Sequence, residues 1–156
     1  KALICDIDGT LTNGLIWYGK EGEQLKSFNV KDGSAIKKLL SKGFKVGFLS
    51  GRDSLPLQIR AKELGVKFVK FNQNDKRKGC LELLDEMELN AKNVAYIGDD
   101  ETDISCCLLF PFSFAVNDSH EGLKKVARFI LNRKGGEGVI NEFLEKFNLL
   151  CTNSKI

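Results

Sequence analysis

The sequence predicts an α/β fold, a doubly wound parallel sheet with helices on both faces and one projecting β-hairpin. Three observations carry this. Short runs rich in Val, Ile, Leu and Phe alternate with segments of helical period along nearly the whole chain, the mark of βαβ units. The alternation continues through 156 residues without a repeat, low-complexity tract or linker, so residues 1–156 read as one domain large enough for its own core. Three of the apolar runs end in polar signatures, Asp6-Ile-Asp8-Gly9-Thr10, Ser50-Gly51-Arg52 and Gly98-Asp99-Asp100. In a Rossmann-like sheet the carboxyl ends of the strands share one edge, and ligands bind there.

The elements follow in order. Ala2 to Cys5 is a buried strand closed by a turn at Gly9. Leu15–Tyr18 and Glu23–Phe28 flank Gly19–Gly22 and read as a hairpin with a four-residue loop, an insertion at about residues 13–28. Leu15 and Trp17 share one of its faces, Ile16 and Tyr18 the other. A two-stranded hairpin apolar on both sides needs a further surface, here expected to be a subunit interface rather than its own domain. Asp32–Lys42 is a helix stopped by Gly43, and Phe44–Leu49 a strand. Ser54–Leu64 is a helix stopped by Gly65, followed by a short strand at Val66–Val69. Lys76–Leu89 is a helix, Val94–Ile97 a strand with a helix behind its acidic end, and Phe112–Val116 a strand. Ser119–Ala127 is a short helix and Arg128–Leu131 the last strand, and Gly135–Gly138 opens a terminal helix through Leu149. Lys1 already lies inside a strand pattern, so residues are expected to precede it.

Composition narrows the function. A net charge of +3 without a basic stripe argues against nucleic-acid binding. No apolar run approaches membrane-spanning length and no signal peptide is visible, so no membrane partner is expected. The five cysteines (Cys5, Cys80, Cys106, Cys107, Cys151) are odd in number and form no C-x-x-C, which argues for a reducing, cytoplasmic setting and for buried thiols. His120 is the only histidine, which removes histidine metal clusters and Ser-His triads. Acid–base chemistry must therefore fall to carboxylates.

Asp6 and Asp8, two apart on a strand, can address one point. Their repulsion calls for a proton or a cation. One carboxylate can attack phosphorus and form an acyl phosphate. The other can protonate the departing alkoxide and then activate water. Mg²⁺ is the expected cofactor. The same residues also suit a strand-end turn. The phosphate-binding candidates are Thr10, Ser50, Gly51 and Lys76, from hydroxyl, backbone N–H and ammonium chemistry; Ser50-Gly51 alone is a generic turn, and Lys76 alone fits a solvated run. Asp99, Asp100 and Asp103 crowd negative charge towards Asp6 and Asp8. Asp99 is expected on the metal with Asp6 and Asp8, and Asp100 and Asp103 behind it; an acidic helix start is the plainer alternative.

In their order these motifs resemble the haloacid dehalogenase superfamily of phosphohydrolases. The resemblance implies that Asp6 is the nucleophile, Asp8 the general acid/base, Ser50 and Lys76 phosphate ligands, and Asp99 a Mg²⁺ ligand. No cap domain fits between Asp6 and Ser50 or between Ser50 and Lys76. Over nearly the whole chain the sequence is similar to the phosphatases of 3-deoxy-D-manno-octulosonate 8-phosphate (KDO 8-phosphate). Leu11–Gly14, Phe28–Gly33, Ser50–Arg52, Arg60-Ala61, Val94–Asp100, Asn117–His120 and Gly135–Gly138 carry this likeness. It implies a homotetramer with hairpins meeting at its centre, and a C-terminal segment (about 135–156) reaching a neighbouring site. It also implies a small phosphorylated sugar acid as substrate, which makes Arg52 and Arg60 candidates for its carboxylate; ordinary helix-surface pairing is as good an expectation for Arg60. Asn13 stands where the family often has aspartate and Asn141 where it often has arginine, with Arg133 or Lys134 as substitutes. Nine-carbon sialic-type acid 9-phosphates are the alternative substrate. A non-catalytic oligomerisation domain, like those attached to acylneuraminate cytidylyltransferases, is the alternative of another class. A phospho-accepting receiver is disfavoured because Asp8 would shorten the life of its acyl phosphate.

Overall fold

The computed structural model describes the backbone of residues 1–153 and the side chains of residues 1–147. The end of the expected 135–156 segment and the Cys151 side chain lie outside the described residues. Among these, six strands form one all-parallel sheet in the order β5-β4-β1-β6-β7-β8. They are β1 (Ala2–Asp6), β4 (Lys45–Leu49), β5 (Phe68–Lys70), β6 (Val94–Gly98), β7 (Phe112–Ala115) and β8 (Phe129–Ile130). A separate antiparallel hairpin is made of β2 (Trp17–Gly19) and β3 (Gly22–Leu25).

Period-two alternation along β1 sorts the two cores. Leu3 and Cys5 face one core with Ile36 and Leu39 of α1 (Val30–Ser41), Leu57 and Ala61 of α2 (Leu55–Leu64), and Ile140 and Phe143 of α6 (Val139–Asn153). Ala2 and Ile4 face the other, with Cys80, Leu83 and Leu84 of α3 (Lys76–Glu86), Cys106 of α4 (Ile104–Leu109) and Leu123 of α5 (Glu121–Val126). Each fully buried Leu, Ile or Phe contributes roughly 1.5–3 kcal/mol, so both faces need their helices. Asp6 continues the parity of Ala2 and Ile4, which aims it towards α3.

Three local expectations are corrected. The hairpin loop is two residues, not four, because Gly19 and Gly22 pair across the strands. The strand expected from Val66 starts at Phe68: Gly65 closes α2 in the left-handed region and the Val66 N–H still bonds back to the Ala61 carbonyl. Helix α3 ends at Glu86 rather than Leu89, since Glu88 takes a left-handed φ of 52° and the Leu89 N–H returns to the Leu84 carbonyl. No described helix is long and apolar enough to cross a membrane.

Candidate active site

From β1 the chain moves out to β4 and β5, then crosses back to β6, β7 and β8 on the other side. Strand order therefore reverses around β1, and a crevice opens at its carboxyl end, between Ser50 after β4 and Asp99 after β6. A cavity of about 230 Å³ lies there. It is lined by Asp6, Asp8, Ser50, Gly51, Arg52, Lys76 and Asp100, with Gln73, Asn74 and Thr102.

Asp6 is buried. Lys76, the first residue of α3, places its ammonium 2.6 Å from Asp6 Oδ1 and 2.7 Å from Asp103 Oδ1. Asp103 accepts in addition from the Tyr96 hydroxyl at 2.6 Å, and its second oxygen accepts from the Asp99 and Asp100 N–H groups, each at 3.1 Å. With its acceptors taken, Asp103 serves to hold the loop after β6 and to fix Lys76. A side chain at Gly98 would collide with Asp103, its Cβ coming within 2.6 Å of Cγ. Gly9, at φ +91°, lets Asp99 close in: a Cβ there would stand 2.0 Å from Asp99 Oδ2. The Thr10 hydroxyl donates to Asp99 Oδ1 at 3.1 Å, so Thr10 orients that carboxylate.

Burial, then the neighbouring Asp103 charge, pushes the Asp6 pKa well above the carboxylate range, although Lys76 pulls the other way. Burial likewise moves Asp99 from its ordinary 3.8 up to about 6. Lys76 has its pKa raised: burial opposes the ammonium, but Asp6 and Asp103 outweigh it. Such crowding invites a cation. One oxygen each from Asp6, Asp99 and Asp103 fall within 4.8 Å of one another, and Asp6 Oδ2 is buried with no hydrogen-bond partner. An all-carboxylate donor set with an unsatisfied oxygen suits a hard divalent ion such as Mg²⁺.

The Asp8 carboxyl, expected with the metal ligands, is not in this group. β1 ends at Asp6, and the Thr10 and Thr12 N–H groups both fold back to the Ile7 carbonyl, so Asp8 rides on a turn rather than on the strand. Its Oδ1 is ion-paired to Lys26, and Ser50 Oγ lies 3.4 Å from its Oδ2. Ser50 Oγ also accepts from the Arg52 N–H at 3.0 Å. Arg52 reaches the cavity rim from a pairing with Glu23 (3.2 Å) and the Tyr18 hydroxyl (2.6 Å), both of the hairpin. Glu23 is also paired to Lys26 at 2.9 Å; burial opposes its charge, but its cationic and hydroxyl neighbours keep its pKa below the ordinary value.

Arg60 is not brought to the cavity. It pairs with Glu63 at 2.9 Å, donates to the Asn29 carbonyl at 3.4 Å and lies over the Phe28 ring, tying the hairpin exit to α2. Asn13 accepts from the Leu15 N–H, Asn141 donates to Glu145, and Arg133 donates to the Gly138 carbonyl. The sequence reading missed Lys26, Glu23, Tyr18 and Tyr96, none of which carries a local motif. The spacing Glu23-x-x-Lys26 on a hairpin was the one available signal.

A family model described as haloacid dehalogenase-like hydrolase matches residues 68–143. The 3-deoxy-D-manno-octulosonate 8-phosphate phosphatase of Yersinia pestis is 39% identical over 142 residues, 91% of this chain and 76% of that protein. That of Haemophilus influenzae is 38% identical over 91% of this chain and 79% of its own length. Among solved structures, the cobalt-bound form of the deoxy-D-mannose-octulosonate 8-phosphate phosphatase from Haemophilus influenzae superposes with a TM-score of 0.93 at 36% identity, covering 96% of this chain and 87% of that one. The Moraxella catarrhalis 3-deoxy-D-manno-octulosonate 8-phosphate phosphatase, in complex with magnesium, phosphate and KDO, gives 0.89 at 29% identity over 99% and 93% of the two chains.

Proposed function

From the premise that the chain belongs to the haloacid dehalogenase-like phosphatases, in the KDO 8-phosphate phosphatase family, we propose that it hydrolyses KDO 8-phosphate to KDO and phosphate through phospho-Asp6. The observation that carries this reading is the state of Asp6: buried, with Oδ1 held by Lys76 and Oδ2 without a partner beside the cavity. A carboxylate oxygen held ready in a low-dielectric site is what nucleophilic attack on phosphorus requires.

Asp6 attacks phosphorus as the bond to the sugar oxygen breaks, and Asp8 gives that oxygen its proton. Asp8 then takes a proton from the water that opens the phosphoaspartate, returning Asp6 and releasing phosphate. Lys76, with the Ser50 hydroxyl and the backbone at Gly51, stabilises the phosphoryl oxygens. Asp6 and Asp99, steadied by Asp103, would hold Mg²⁺, which supplies charge neutralisation at the phosphoryl group. Arg52 at the rim is placed to meet the sugar acid's carboxylate. The site is uncapped, and Leu15, Trp17, Tyr18 and Leu25 leave the hairpin's apolar surface exposed; this supports a homotetramer joined through the hairpins, which light scattering would report. Cys5, Cys80, Cys106 and Cys107 are free and buried, in keeping with a cytoplasmic setting.

The test is phosphate release from KDO 8-phosphate and from a nine-carbon keto-acid 9-phosphate, with and without Mg²⁺. Strong, Mg²⁺-dependent preference for the eight-carbon ester is expected. Preference for the nine-carbon ester would move the enzyme to the sialic-type branch.

A further inference from the structure

The hairpin sends charge into the active site as well as presenting apolar surface. Lys26, just past the end of β3, has its side chain entirely shielded from solvent. Its ammonium bridges Asp8 Oδ1 and Glu23 Oε1. Glu23 is anchored in turn by Arg52, and Arg52 by the Tyr18 hydroxyl. Desolvating an ammonium costs several kcal/mol unless carboxylates repay it, so Lys26 is where it is because of Asp8 and Glu23. The two lysines of the site divide the work. Lys76 faces Asp6, the group that attacks phosphorus on the reading above; Lys26 faces Asp8, the group that protonates the departing oxygen on that same reading.

We propose that Lys26 is a positioning residue for the phosphatase reaction: held by Glu23, it fixes the Asp8 carboxyl where the proton must pass to the leaving oxygen. The inference rests on the reading of Asp8 as general acid. In that step the Asp8 O–H bond breaks and an O–H bond forms on the sugar oxygen. At the same time the P–O bond to sugar is replaced by the P–O bond to Asp6. Asp8 is left as the carboxylate, the form an ammonium partner holds in place. A sugar alkoxide departs slowly without that proton, whereas an aryl oxide carrying a nitro group departs well without it. Lys26 should therefore matter most where the leaving group is poor.

The experiment measures kcat/KM of the full chain in Mg²⁺ for the sugar-acid phosphate, a simple alkyl phosphate and p-nitrophenyl phosphate. Lys26→Met is expected to lower kcat/KM on the alkyl esters on the order of 10²-fold, and on the aryl ester by about tenfold less, because general acid catalysis has that size. Lys26→Arg should recover much of the alkyl-ester rate, and Glu23→Gln should show the same bias in weaker form. If Lys26→Met melts far below the parent protein, Lys26→Arg and Glu23→Gln decide by that bias. Equal losses on alkyl and aryl esters, or no loss, would overturn the inference while leaving the phosphatase reading intact. A parent protein that turns over none of the three esters would overturn the phosphatase reading itself.

Discussion

Two lysine–carboxylate clusters meet in one crevice, and they are built in opposite ways. Around Lys76, the charges come from the ends of β1 and β6 and the start of α3, all buried in the sheet and helix framework. Around Lys26, only Lys26 and Glu23 come from an inserted hairpin, most of whose other residues lie exposed, and they meet Asp8 and Arg52 at the sheet edge. The first cluster has its positions set by the parallel sheet, so it can hold a nucleophile and crowded negative charge rigidly. The second depends on how the hairpin docks, so Asp8, the proposed general acid, and the rim cation Arg52 answer to a part of the fold that packs separately. On the proposed mechanism, the groups for attack lie in the core, while those for departure and substrate fit lean on the insertion.

The contrast can be broken most sharply at Asp6. Asp6→Asn should reduce phosphate release on the order of 10⁴-fold or more, as removal of a nucleophile does, and a radiolabelled substrate should leave no phosphate on the variant. Appreciable turnover in Asp6→Asn would remove the covalent route altogether.

Lys76→Met tests whether the core cluster is also structural. It leaves Asp6 and Asp103 buried without their counter-charge, so the metal-free protein should lose about 3–5 kcal/mol in urea unfolding, along with nearly all activity.

The crowded carboxylates also predict how the metal acts with pH. Asp6 and Asp99 hold protons more tightly folded than unfolded, with Asp99 raised from 3.8 to about 6. The folded, metal-free protein then binds more protons than the unfolded chain between those values. The Asp99 contribution to stability is complete at low pH and lost as pH rises through about 6, and Asp6 acts in the same direction. A bound Mg²⁺ would take the place of those protons. Thermal shifts on adding Mg²⁺ should be small at pH 5 and clearly larger at pH 7.5; equal shifts at the two values would count against the acidic cluster as the metal site.

The hairpin cluster should give milder effects. Arg52→Gln is expected to raise KM for the sugar-acid phosphate about tenfold, with a smaller change in kcat, and to leave melting nearly unchanged because the Arg52 side chain is substantially exposed and Glu23 keeps its pairing to Lys26. Smallest of all, Arg60→Ala should cost about 1 kcal/mol through its lost ring and carbonyl contacts, with kcat/KM within about twofold. A large kinetic effect at Arg60 would show that it meets substrate after all.

The amino-acid sequence by itself determined the order of strands and helices, the sheet edge where the polar signatures gather, and the pairing of Asp6 with Lys76 and Asp99 in one site. The strand and helix order follows from periodicity, and Asp6 and Asp99 from motifs at strand ends, where backbone geometry leaves little choice of direction; Lys76, at the start of α3, was placed with them only by the family resemblance. Only the tertiary structure decided that Asp8 turns away to Lys26, that Tyr96 and Asp103 brace Lys76, that Thr10 serves Asp99, and that Arg60 supports the hairpin exit instead of the cavity. Each of these is a choice of partner between side chains on different elements, or on a strand and the loop after it, as far as 89 positions apart. Such choices depend on how separate elements pack, and no local pattern in the chain encodes them.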